Sequence, residues 1–151
     1  MPAVLVVHHT PSPATQELLE AALAGARDPE VNDGSVEVVV RPALHAVVVD
    51  VLDCDGLVLA TPANIGYISG ALKHFFDTIY YPCLDATRGR PFAAWVHGNL
   101  DSTGAVRALE SITNGLQWRQ VAPIRTISGA PTRADREAVF ELAATVVATV
   151  S

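Results

Sequence analysis

Gly56-Leu-Val-Leu-Ala-Thr-Pro-Ala-Asn-Ile-Gly-Tyr-Ile-Ser-Gly-Ala-Leu-Lys-His-Phe-Phe-Asp77 divides into three pieces. Gly56 to Thr61 is a charge-free apolar run between Asp53 and Asp55 on one side and Pro62 on the other. A run of that kind, apolar on both faces, reads as a central parallel strand. Leu72, Phe75, Phe76 and Ile79 then recur at i, i+3, i+4 and i+7, the spacing of a helix with one apolar face. Between them Pro62-Ala-Asn-Ile-Gly-Tyr67 reads as a loop of mostly small residues with free backbone amides. In an open α/β sheet, ligands bind just beyond the carboxyl ends of the strands, where this loop falls.

Composition frames that reading. With 151 residues and 50% hydrophobic content, the chain is expected to form one domain, 1–151, with a sizeable core. A formal net charge of −6 argues against nucleic acid and anionic membrane as partners. No apolar run reaches the roughly 18 residues of a membrane helix, and Val4 to Val7 is too short for a signal-peptide core. Cys54 and Cys83 make neither a metal-spaced motif nor a disulfide framework, so a reducing cytoplasm is the expected location.

Outward from the opening stretch, apolar runs alternate with helical patterns. Ala3 to His8 is the first strand, and Ser12 as N-cap with Pro13 at N1 opens a helix carrying Leu19, Leu23 and Ala26. Ser35 to Arg41 is a second strand, stopped by Pro42; Ala43 to Leu52 reads as a short helix despite its β-branched Val47-Val-Val. Tyr80 to Arg90 reads as a loop and Pro91 to Gly98 as the fourth strand. Asp101 or Ser102 caps the next helix, ended by Gly115. Val121 to Ile127 is the fifth strand, and Thr132-x-x-Asp135 resembles a capping box for the last helix. Strands one, three and four carry no formal charge and should be central. Glu37 and Arg41 in strand two, and Pro123 and Arg125 in strand five, belong at edges. The order that satisfies this is 2-1-3-4-5, a five-stranded parallel sheet with helices on both faces in three layers.

The opening stretch resembles the flavin-contacting strand, loop and helix of the flavodoxin-like NAD(P)H-dependent FMN reductases, which read Thr-Pro-x-aromatic-x-Gly-x-x-Ser/Pro-x-x-Leu-Lys-x-Phe-x-Asp. The match covers this loop and helix, and the rest of the chain follows in layout. It departs where the aromatic is expected, since Asn64 follows Pro62-Ala63. The resemblance implies FMN as cofactor, NAD(P)H as electron donor and a small-molecule electron acceptor such as a quinone or free flavin; a homo-oligomer is compatible with it.

On the topology above, three loops line one crevice. His8-His-Thr-Pro-Ser-Pro-Ala-Thr15 places the hydroxyls of Thr10, Ser12 and Thr15, and amides from Ala14 onward, at a helix N-terminus suited to a phosphate. The family's loop reads Ser/Thr-x-Thr-Gly-x-Thr; here Pro11 and Pro13 delete two amides, and Ser12-Pro13 also serves simply as a cap. Pro62, Ala63, Asn64, Ile65, Gly66 and Tyr67 would lie along the isoalloxazine ring. Tyr67 either contacts a ring face or packs beneath the helix start. Gly98 and Asn99 suit a turn presenting amides to the pyrimidine edge. His97 either titrates near the cofactor or is a strand-end histidine satisfied by backbone.

Other chemistries on this topology lack their residues. A response-regulator receiver needs an acidic pair, an Asp and a Lys where His8-His9, Thr61 and Ser128 stand. A low-molecular-weight phosphatase needs Cys-x5-Arg after strand one, where no cysteine occurs. No P-loop or Gly-x-Gly-x-x-Gly is present, and no carboxylate or thiolate accompanies the strand-end histidines, so no metal site is expected. The reading is therefore an FMN-binding oxidoreductase. The alternatives are a flavodoxin-type electron carrier, which usually clamps its flavin between aromatics on loops two and three, and a flavin-free binding module.

Overall fold

The computed structural model describes residues 1–151. The sheet is built outward from β1 (Ala3–His8), whose Val4 to Val7 are wholly buried. β1 pairs in parallel with β2 (Glu37–Pro42) on one side and β3 (Gly56–Asn64) on the other. Next come β4 (Tyr67–Ile68), which folds back antiparallel on β3, and β5 (Pro91–Gly98), which pairs β3 in parallel. The far edge is made by two short pieces, β6 (Arg119–Gln120) and β7 (Arg125–Ser128), both parallel to β5. The order β2-β1-β3-β5-β6 is the expected one with its fifth strand split.

Helices cover both faces. Alternation along β1 and β3 sends Leu5, Val7, Leu57 and Leu59 to one side, and Val4, Val6, Val58 and Ala60 to the other. The first face packs α2 (Val48–Asp53), α3 (Gly70–Cys83) and α4 (Thr103–Leu116). The second packs α1 (Pro13–Ala26) and α5 (Arg133–Val150). These two cross closely at Gly25, where a Cβ would lie 2.1 Å from the Phe140 carbonyl oxygen. Leu72, Phe75, Phe76 and Ile79 are all buried, as the opening periodicity requires.

Several boundaries differ from the sequence reading, each for a physical reason. Ala43 to His45 is a turn, with the Pro42 carbonyl accepting from His45 and Ala46, and the helix starts only at Val48. Extended Val47 keeps its β-branched geometry and donates its N–H to Asp50. The second strand runs Glu37–Pro42, because an edge position asks no ladder bond of Pro42. The third strand continues past Thr61 to Asn64, so Pro62 to Tyr67 is a hairpin tip and not an open loop. α3 runs through Tyr80, Tyr81 and Pro82, since buried Cys83 continues the spacing set by Phe76 and Ile79. α4 passes Gly115 to end at Leu116, with Gln117 in the left-handed conformation. Of the expected fifth strand, Val121 to Ile127, only Arg125 to Ile127 is strand, within β7; Val121 to Ile124 is not, around Pro123, which has no donor for the ladder, and β6 forms just before it.

Candidate functional site

The C-terminal ends of β1, β3 and β5 lie side by side, with His8 beside Ala60 and Pro62 beside His97. At the first, Ser12 caps α1: its Oγ accepts from the Thr15 N–H at 3.2 Å, and Thr15 Oγ1 accepts from the Ser12 N–H at 3.1 Å. Thr15 also donates to the Ser12 carbonyl and is buried, so its hydroxyl serves the cap; the outward-facing role expected of it is not the one seen. Thr10 lies above, its hydroxyl donating to Gln16 Oε1 at 3.2 Å and 3.0 Å from His8 Nδ1. The amides of Thr10 and Ala14 donate to no acceptor in the protein. Burial, and secondarily the neighbouring His9, hold the His8 imidazole below its ordinary pKa.

At the second strand end, Ala63 pairs with Ile68 and Asn64 with Tyr67 across a two-residue turn. Its central residues, Ile65 and Gly66, have φ of 53° and 74°, the signature of a type I′ hairpin. A β-branched residue at positive φ is strained by roughly 1–3 kcal/mol, and such strain clusters at ligand clamps and switches. Ile65 is fully exposed, Tyr67 partly so, and the Ile65 and Gly66 amides are unpaired. Beneath the hairpin, buried Thr61 and Ser69 fasten its two ends. Thr61 Oγ1 accepts from the Ser69 N–H at 3.0 Å and meets Ser69 Oγ at 3.1 Å, and Ser69 Oγ accepts from Leu72 as the cap of α3.

At the third, Gly98 packs against the hairpin: a Cβ there would meet the Ala63 Cβ at 3.2 Å. The Asn99 and Leu100 amides are unpaired, and Leu100 is exposed. Asp101 accepts from the Thr103 hydroxyl and amide, which hold its carboxyl below the usual range, so it anchors the start of α4. His97 is buried, with Nε2 2.7 Å from the Gly129 carbonyl, which is the backbone-satisfied arrangement. The structure therefore joins loops two and three directly and sets loop one on the adjacent strand.

The roles of Thr61, Ser69 and Gly104 were not anticipated. A Cβ at Gly104 would fall 2.1 Å from the Gly66 carbonyl oxygen, so α4 and the hairpin touch there backbone to backbone. A glycine inside a helix, costing up to about 1 kcal/mol against Ala, was the available signal. Thr61→Val should lower stability by about 1–3 kcal/mol, because it strands the buried Ser69 N–H. Thermal melts beside Thr61→Ser, which keeps the acceptor, check this; equal melting of both variants would contradict it.

Other groups do not compete for the role. Burial pushes the Cys54 thiol up to about 11, against the opposing pull of Arg90, and raises the Cys83 thiol as well, so neither is a ready nucleophile. No His, Cys, Asp and Glu residues gather to hold a metal ion. A surface hollow of about 510 Å³ lies along α1 and α5 against Ala21, Arg133 and Phe140. One of about 440 Å³ adjoins loop three through Leu100, Asp101, Thr126 and Ser128.

Sheet order, layers and crevice define a flavodoxin-like α/β protein. Residues 9–132 match the NADPH-dependent FMN reductase family, and the chain belongs to that family. A flavodoxin of Aquifex aeolicus (strain VF5) is 35% identical over 79 residues, a match spanning 52% of this chain and 40% of that relative's length. A flavodoxin from the domain Archaea superposes with a TM-score of 0.82 at 15% identity, covering 98% of both chains. The flavodoxin, WrbA-like protein from Agrobacterium tumefaciens gives 0.80 at 16% identity, over 99% of this chain and 98% of that one. At such identities the structural likeness concerns the fold. No helix is long and apolar enough to cross a membrane.

Proposed function

We propose that residues 1–151 act as one FMN-binding reductase domain, taking hydride from NAD(P)H and passing electrons to a small acceptor such as a quinone or free flavin. The observation that carries this reading is the set of amides without protein acceptors, from Thr10, Ala14, Ile65, Gly66 and Asn99, at three adjoining strand ends. Donors so placed fit a phosphate at α1 and the heteroatoms of a flavin edge. FMN held there would supply the hydride- and electron-transfer chemistry.

The chain's own residues bind and orient. The Thr10 hydroxyl and the Ala14 amide would hold a phosphate with the α1 dipole, whereas the Ser12 hydroxyl, 2.9 Å from Thr15 Oγ1, is taken by the cap; no Lys or Arg precedes Arg27, which lies a helix length away. The hairpin from Pro62 to Tyr67 would offer backbone to the flavin, and Gly98 and Asn99 would supply amides to it. His97 fixes the end of β5 to the Gly129 loop. Loop three has no Phe, Tyr or Trp, which would leave a bound flavin open to nicotinamide or acceptor from that side. The electron-carrier reading draws on the Aquifex aeolicus relative's name, flavodoxin.

Titration of the apo chain with FMN and riboflavin tests the site. Saturable FMN binding, tighter than riboflavin, is expected. Thr10→Ala should weaken FMN about 10- to 100-fold, the worth of one hydrogen bond to a charged group, and spare riboflavin. Equal losses for both ligands would place the phosphate elsewhere.

A further inference from the structure

We propose that His8 gives this chain its preference for a phosphorylated flavin: it positions the Thr10 hydroxyl toward the phosphate, and its imidazole takes up a proton when the dianion binds. The inference rests on the FMN reading above and concerns how a loop without Lys or Arg neutralises a dianion.

The hydrogen-bond directions carry the argument. Gln16 Nε2 donates toward Glu20, which leaves Gln16 Oε1 as the group facing Thr10. A carbonyl oxygen only accepts, so the single Thr10 hydroxyl proton lies on that side. Thr10 Oγ1 therefore accepts at its other contact, and His8 Nδ1 at 3.0 Å carries the hydrogen. His8 Nε2 makes no hydrogen bond, and no buried side-chain nitrogen or oxygen lacks a partner, so Nε2 reaches solvent and is free to take a proton. Protonation there leaves the Nδ1–H to Thr10 intact. The chain Nδ1–H to Oγ1–H then points at whatever replaces exposed Gln16 as acceptor. A phosphate oxygen at the α1 N-terminus is such an acceptor, and a stronger one than an amide.

His9 is the other titratable group beside this imidazole, and the cations of the neighbouring strand are engaged elsewhere. His9 follows it in the chain, and Gln16 on α1 is neutral. The strand partners of His8 are Pro42 on β2 and Ala60 on β3, neither titratable. Arg41, the nearest cation on β2, is 3.4 Å from Asp50 and donates to the Val40 carbonyl. His97 on β5 is tied to Gly129. In the free chain, burial and His9 favour neutral His8; an adjacent dianion works the other way and favours imidazolium. The sign follows: FMN binding takes up a proton and tightens as pH falls toward the histidine range, whereas riboflavin binding does neither.

Calorimetric titrations near pH 7.5, where a phosphate of second pKa about 6 is already dianionic, in two buffers of different ionisation heat, count the protons. The wild-type chain should take up a substantial fraction of one proton per FMN and none per riboflavin. His8→Asn, which keeps a donor and cannot ionise, should abolish that uptake. His8→Phe should weaken FMN about tenfold or more while leaving riboflavin affinity, the measure of an intact fold, unchanged. Uptake that persists in His8→Asn, or a His8→Phe chain that loses both ligands equally, would overturn the proposal. FMN bound without proton uptake by the wild type overturns it alone, leaving the site reading intact. A wild-type chain that binds neither flavin overturns the site reading itself, and this inference with it.

Discussion

Gly66→Val is expected to yield a folded chain that binds FMN at least 100-fold more weakly. Gly66 sits at φ 74° on the hairpin tip, and nothing lies within 4 Å of the place a Cβ would take. The Cβ of a valine there has open space around it, so the fold is expected to survive. The new side chain projects from the backbone that a flavin edge must approach, and glycine is the residue that allows such an approach. The cost to stability is that of a β-branched residue at positive φ, roughly 1–3 kcal/mol. Riboflavin should be lost in parallel, because the obstruction concerns the ring and not the phosphate. Circular dichroism with flavin titration separates the two effects. Normal FMN affinity in a folded Gly66→Val chain would mean the hairpin does not line the site.

Gly104→Ala should act on the same hairpin from behind. Its Cβ would lie 2.1 Å from the Gly66 carbonyl oxygen, where real contacts stay above 3.0 Å, so helix and hairpin must part by about an ångström. The partner is backbone and cannot turn aside as a side chain would. Alanine is meanwhile the better helix former by up to about 1 kcal/mol, which offsets part of the strain. Melting should therefore fall somewhat, and flavin affinity with it. Misplacement of a site by about 1 Å costs on the order of 100-fold where geometry is demanding, and a loss of 10- to 100-fold for FMN and riboflavin alike is expected. This pattern differs from Thr10→Ala, which spares riboflavin. Unchanged affinity would show that the contact between α4 and the hairpin does not set the site.

Much of this architecture is legible in residue types, and the misreadings have identifiable causes. β1 and β5 have the bounds expected of them because charge-free apolar runs leave no other arrangement in a two-faced sheet. The hairpin is hidden because type I′ turns are announced by Asn-Gly or Asp-Gly, and here Ile65 occupies the first left-handed position. Pro82 suggests a loop, yet only one donor is lost near the end of α3, and Cys83 still packs in the core. Pro123 marks an edge, and its effect is to cut that edge in two. At the strand ends, loops two and three meet, and loop one lies on the neighbouring strand. Local competition is what sequence does not show: Thr15 has the right hydroxyl, and the cap of α1 takes it. Thr61 and Ser69 lie eight residues apart and become partners only once β3 and β4 have folded back on each other.

The proposed activity is acceptance of hydride from a nicotinamide without help from another protein. The direct measurement is anaerobic mixing of the FMN-loaded chain with NADH or NADPH, following the flavin's visible absorbance. Bleaching by at least one nicotinamide, reversed when a quinone or free flavin is admitted, is the expected result. An absorbance that neither nicotinamide changes, in a chain whose FMN is readily reduced by dithionite or by a separate reductase, would contradict the claim and assign the chain to electron carriage.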